Sequence, residues 1–130
     1  LPAEAYRLHE LSRQLHREVM QTAGPGSSCA ELYTHSLERV TAAGAADYFM
    51  GTELQAQFVG HGIGLQINEP PVLTPRSRDV LEPGMVIAFE PKFVLPHIGA
   101  VGVENTYLVT ETGIENLTTA PEEIIDLTKH

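Results

Sequence analysis

The spacing of apolar residues changes partway along this 130-residue chain. In the first segment they recur at helical steps of three and four, at Leu8, Leu11, Leu15 and Val19. From Val59 to Ile67, apolar residues and one histidine alternate with glycines and one glutamine, which is the period of a strand. Residues on one face recur every three to four positions in a helix and every second position in a strand. The change therefore predicts helices first and a mostly antiparallel sheet afterwards, the α+β class.

Capping and turn residues set the expected limits of the two helices. The first helix is predicted from about Pro2 to Thr22, because Gly24-Pro25-Gly26 follows it. Ser28 and Glu31 have the three-residue spacing of a capping box, in which a hydroxyl and a carboxylate bind free amides at a helix start. The second helix is therefore predicted to begin there and to end near Gly44.

The later part of the chain is predicted to be mostly strand. The alternating segment 59–67, the apolar run Met85–Glu90 and the segment Val101–Thr110 are each predicted to form one strand. A short strand at Ile114–Leu117 follows a turn. A last short helix is expected at Thr119–Glu122, where a cap, a first-turn proline and an acidic residue occur together.

Composition limits the classes of protein that this chain can be. A hydrophobic fraction of 42% supports one core, and thus one domain over residues 1–130. A net charge of −9 with only 8 Lys and Arg argues against a nucleic-acid partner. The chain has no apolar stretch of the roughly 20 residues that cross a bilayer, and Cys29 has no cysteine to pair with. We therefore expect no membrane partner and a cytoplasmic location.

Three side chains in the predicted sheet are candidates for a metal site. His61 lies within GHGIG, Glu90 ends an apolar run, and Glu104 lies within GVEN. One imidazole and two carboxylates suit Mn, Co, Fe or Zn, while the absence of thiolates argues against structural zinc. From spacing alone the other interpretation stays open, in which the histidine is packed and the glutamates are solvated.

Two histidines of the first helix are weaker candidates. His9 and His16 are seven residues apart and so share a helix face. The zinc motif HExxH needs histidines four residues apart. A solvated helix face is the preferred interpretation of this pair.

Several motifs in order resemble one known family. They are GHGIGL at 60–65, Pro70-Pro71, LEPGMVIAFEP at 81–91 and VGVENTYLVTETGIENLT at 101–118. This order resembles the second half of the pita-bread metallopeptidases, which include methionine aminopeptidase, aminopeptidase P and prolidase. The resemblance implies a curved antiparallel sheet covered by helices, and a peptide substrate.

The same resemblance implies roles for individual residues. His61, Glu90 and Glu104 match three of the family's five ligands to two divalent metal ions. Glu90 also matches the carboxylate that exchanges protons with the attacking water. Asn68 stands where the peptidases usually carry a second, substrate-binding histidine. Gly102 stands where aminopeptidase P has a substrate-side arginine.

The family's two remaining ligands are aspartates that precede the first helix, and no aspartate lies there in this chain. The expectation is therefore a C-terminal part of a catalytic domain without its N-terminal strands. Such a part should bind metal weakly, be inactive alone, and associate into a homo-oligomer through its exposed edges. The alternatives are a metal-free peptide- or protein-binding module of the same fold, or a hydrolase similar to creatinase.

Overall fold

The structure is a computed structural model that describes residues 1–52 and 55–125. It contains two helices, α1 (Ala3–Thr22) and α2 (Cys29–Ala42), and a 3₁₀ turn at Ala46–Tyr48. The strands are β1 (Gly60–Gly62), β2 (Glu69–Val72), β3 (Val86–Phe89), β4 (Lys92–Leu95), β5 (Gly99–Gly102), β6 (Asn105–Val109) and β7 (Ile114–Asn116). Helices followed by a sheet confirm the α+β prediction.

The strands form two antiparallel sheets. The larger sheet has five strands in the order β2-β1-β3-β6-β7, and the smaller one pairs β4 with β5. Helix α1 contacts both β4 and β5 and also α2. The core lies between the helices and the sheets, and its largest fully buried side chains are Tyr107, Phe89 and Phe93.

Both helices form where the sequence predicts them. The apolar stripe of α1 is buried, with Leu8 and Leu15 fully inaccessible to solvent. Ser28 caps α2, because its hydroxyl accepts a hydrogen bond of 3.2 Å from the backbone amide of Glu31. No helix within residues 1–52 and 55–125 is both long and apolar enough to cross a membrane.

The segment from β3 to β6 forms one long hairpin that takes part in both sheets. Its base, β3 and β6, belongs to the larger sheet, and its end, β4 and β5, forms the smaller one. Phe89 faces Asn105 across β3 and β6, and Lys92 faces Gly102 across β4 and β5. The two registers are continuous, but Val103 and Glu104 belong to neither strand. The prediction of one strand over Val101–Thr110 is therefore wrong. The chain turns there at Gly102, whose φ of 148° favours glycine.

The predicted strand at 59–67 is wrong beyond Gly62. The chain leaves the sheet in a loop, in which the Gly64 amide bonds the Gln66 carbonyl at 3.1 Å. Leu65 and Ile67 are exposed, so the alternation does not reflect a buried face. Three of the four positions between the apolar residues and His61 are glycines, which carry no side chain that could pack on either face.

The predicted helix at Thr119–Glu122 is also wrong, because residues 119–125 contain no helix. The Glu122 carboxylate accepts a 3.0 Å hydrogen bond from the Asn105 amide and lies 3.6 Å from Arg13 Nε. These tertiary contacts replace the capping role that the sequence suggested.

Candidate metal centre

The side chains of His61, Glu90 and Glu104 converge on one point. Each offers one ligand atom, and these atoms all lie within 4.8 Å of one another. His61 comes from β1, Glu90 follows β3, and Glu104 precedes β6. Among residues 1–52 and 55–125, this is the one group of three histidine, cysteine or acidic side chains with such spacing.

Two glycines allow His61 to sit in the middle of the sheet. A Cβ at Gly60 would lie 2.4 Å from the Ala88 carbonyl oxygen, and one at Gly62 would lie 2.4 Å from the Pro70 carbonyl oxygen. The neighbouring strands therefore approach β1 more closely than a side chain would permit.

The tautomer of His61 follows from its hydrogen bond. Nδ1 lies 3.0 Å from the Gly62 carbonyl oxygen, which can only accept, so Nδ1 carries the proton. The lone pair is then on Nε2, where a metal can bind it.

The two carboxylates repel each other. Burial, a hydrogen bond to Glu104 and the negative charge of Glu104 together raise the pKa of Glu90 from 4.5 to about 7, while Lys92 opposes this rise. A proton held between two carboxylates occupies the place where a cation would be favourable. The donor set and its electrostatics thus both fit a divalent ion.

A cavity of about 600 Å³ opens beside these three residues. Its wall is largely apolar and includes Phe58, Ile63, Ile67 and Val72. Asn68 also lines the cavity. An apolar cavity with a few convergent polar groups is the usual form of a small-molecule or peptide site.

The histidines of α1 are less exposed to solvent than the sequence predicts. His16 is buried rather than solvated, and its ring makes two hydrogen bonds. His9 is partly buried, and its Nε2 lies 2.5 Å from the Glu122 carbonyl oxygen. The buried Ser12 was also missed. A helical wheel could have identified both buried residues, because positions 12 and 16 lie among Leu8, Leu15 and Val19.

Comparison with known proteins identifies the class. The family model for metallopeptidase family M24 matches residues 2–111. The chain is 34% identical over 125 residues to the Xaa-Pro dipeptidase of Pyrococcus furiosus, covering 95% of this chain and 34% of that protein. The chain belongs to metallopeptidase family M24.

Solved structures support the same fold. The prolidase of Pyrococcus horikoshii superposes with a TM-score of 0.83 at 31% identity, over 96% of this chain and 35% of that one. The Xaa-Pro dipeptidase of Bacillus anthracis gives 0.82 at 31% identity, over 95% and 33%. These likenesses confirm the pita-bread expectation. The chain spans about a third of the length of these relatives.

A more distant likeness shows the fold alone. The N-terminal domain of the FACT complex subunit SPT16 from Cicer arietinum superposes with a TM-score of 0.76 at 13% identity. Proteins that share a fold can have different functions, so the function of this chain depends on the residues of its site.

Proposed function

We propose that this chain forms the His61, Glu90 and Glu104 side of a dinuclear metal centre in a peptidase that cleaves Xaa-Pro bonds. The observation that carries the proposal is the convergence of the three ligand atoms within 4.8 Å. Membership of family M24 and the likeness to Xaa-Pro dipeptidases support the substrate class. The native ions would be Mn, Co, Fe or Zn, which accept this mixed donor set.

Each residue of the site has a chemical task in this proposal. Bound divalent ions would supply a more acidic water and polarise the scissile carbonyl. Glu90 would accept a proton from the attacking water at its carboxylate and pass that proton to the leaving amine. Asn68 donates an amide hydrogen bond to the carbonyl oxygen, where negative charge develops. The apolar wall receives the substrate side chain and excludes water.

A metal titration tests this proposal directly. Three ligands hold one ion poorly, so two further carboxylates from outside the 130 residues are proposed to complete the centre. Calorimetry with Mn²⁺ should show two ions bound by the whole protein and weak binding by the 130-residue chain. Tight binding of two ions by the short chain would remove the need for further ligands. No binding by the whole protein would favour a metal-free binding module.

Substitution of Asn68 tests the substrate side of the cavity. Asn68→Ala removes the donor and should lower kcat for an Xaa-Pro dipeptide by roughly 10²-fold, the usual effect of losing one such donor. Asn68→His restores a donor and should preserve or raise kcat. Circular dichroism and Mn²⁺ affinity should match the wild type in both variants. Unchanged kinetics in both would place Asn68 outside the site.

We also propose an oligomeric state and a cellular location for the protein. Leu65 and Ile67 are exposed beside the cavity, and apolar surface of this kind favours association with another chain. A homo-oligomer in the cytoplasm is the arrangement we propose.

A further inference from the structure

Helix α1 places two buried polar side chains directly behind the metal centre. Ser12 is 0% exposed and His16 is 2% exposed, and both face the break in the long hairpin. Buried polar groups are costly unless they are hydrogen-bonded, and both of these are. Their backbone partners, Pro91 and Val103, lie next to the two glutamates in sequence.

The Ser12 hydroxyl connects the two strands that carry the glutamates. It donates to the Pro91 carbonyl oxygen at 2.6 Å and accepts from the Val103 amide at 2.9 Å. The registers on both sides of the break place Pro91 opposite Val103. In an uninterrupted ladder, backbone bonds join facing strands directly. Here one hydroxyl stands between them and keeps them apart.

His16 satisfies the other backbone group of Val103. Its Nε2 donates to the Val103 carbonyl oxygen at 2.6 Å. Pro91, on the facing strand, has no amide proton with which to make such a bond. The Nδ1 atom of His16 then accepts from the Tyr107 hydroxyl at 2.7 Å, which fixes the orientation of the ring.

We propose that Ser12 and His16 are positioning residues of the metal centre, which hold the hairpin open so that Glu90 and Glu104 reach one ion together. Glu90 precedes Pro91 and Glu104 follows Val103, so each ligand is one residue from a bond to α1. Without the Ser12 hydroxyl, the strands either close on each other or leave two backbone groups unpaired. Either change moves both carboxylates.

This inference rests on the proposed function, and its test is Mn²⁺ affinity measured by calorimetry on the whole protein. Ser12→Ala should raise the Kd for Mn²⁺ about tenfold or more, the effect typical of losing a residue that orients metal ligands. Ser36→Ala is the matched control. It removes a fully buried hydroxyl whose bond, in the described part of the chain, is to the Leu32 carbonyl within α2. Both variants should melt earlier, but only Ser12→Ala should bind Mn²⁺ more weakly.

A second pair of variants keeps the inference testable if Ser12→Ala does not fold. His16→Gln retains an amide nitrogen that can reach the Val103 carbonyl, whereas His16→Asn is too short to do so. Affinity close to wild type in His16→Gln and about tenfold weaker in His16→Asn would support positioning. Equal affinity in the two, or in wild type and Ser12→Ala, would overturn it. If the wild type itself bound no Mn²⁺, the proposed function would fail, and this inference with it.

Discussion

Replacing Glu90 with Gln should lower hydrolysis by the whole protein on the order of a thousandfold while making the metal-free protein more stable. The loss has two sources, because Gln neither shuttles the proton nor supplies an anionic ligand. The gain arises because the folded protein no longer buries an ionisable carboxyl group and no longer holds it beside Glu104. A residue retained for structure would show losses in both properties.

The stability gain should depend on pH in a defined direction. Folding raises the pKa of Glu90 from 4.5 to about 7, first because the carboxyl is buried and then because Glu104 is beside it. The folded state therefore resists ionisation, and the wild type loses stability as pH rises through this window. The advantage of Glu90→Gln should be absent below pH about 4.5 and complete above pH about 7.

The size of the gain is limited by solvent. A shift from 4.5 to about 7 corresponds to roughly 3 kcal/mol, but the carboxyl is only partly buried. Screening reduces the expected gain to roughly 1–2 kcal/mol at pH 8. Urea denaturation of the metal-free protein at pH 4.5 and pH 8 measures it.

A surface substitution of the same kind serves as the control. Glu115→Gln removes one negative charge from an exposed position of β7, so it should change neither hydrolysis nor stability by much. If Glu90→Gln were no more stable than wild type at pH 8, neither burial nor the neighbouring Glu104 would make an ionised Glu90 costly in the folded protein. Full activity in Glu90→Gln would remove Glu90 from the reaction.

The features predicted best from the sequence depend on local chemistry. Helix α1 could be located because Leu8, Leu11, Leu15 and Val19 repeat over about three turns, and α2 because Ser28 supplies a cap. The order of motifs around Glu90 and Glu104 was enough to indicate the family and fold. The roles of His61, Glu90, Glu104 and Asn68 stay predictions until metal and substrate are measured.

The features predicted worst depend on tertiary contacts. Apart from Gly102, the local sequence does not mark the break at Val103, because the break arises where side chains of α1 bind the backbone of the hairpin. The helix expected at Thr119–Glu122 fails for a similar reason, since Glu122 bonds to Asn105 on a distant strand. Local capping preferences amount to about 1 kcal/mol, so several tertiary contacts of about this size can together override them.

Gly62→Ala should destabilise the protein by about 3 kcal/mol, although the change adds only one methyl group. The new Cβ would lie 2.4 Å from the Pro70 carbonyl oxygen and 2.8 Å from that of Glu69. Both are backbone atoms, so relief requires β1 and β2 to separate rather than a side chain to rotate. Thermal unfolding should show a fall in Tm of roughly 10 °C for a chain of this size.

Gly113→Ala is the control for this prediction. Apart from its chain neighbours, the nearest atom among residues 1–52 and 55–125 to a Cβ at Gly113 would be the Ala23 carbonyl oxygen, at 3.9 Å. It should be neutral or stabilise by about 0.5 kcal/mol, because alanine loses less backbone freedom on folding. A Gly62→Ala protein as stable as Gly113→Ala would mean that β1 and β2 lie further apart than the structure shows.

Gly60 and Gly62 approach the backbones of two different neighbouring strands of β1. The backbone atom that a Cβ added at Gly60 would meet is the Ala88 carbonyl oxygen on β3, whereas the backbone atoms near a Cβ added at Gly62 belong to β2. The two substitutions thus push β1 away from opposite neighbours, with His61 between them. If both weaken Mn²⁺ binding by the whole protein, the imidazole is held in place by close approach from both sides. If only Gly60→Ala weakens Mn²⁺ binding, the position of His61 depends on the close approach of β3, the strand that leads into Glu90.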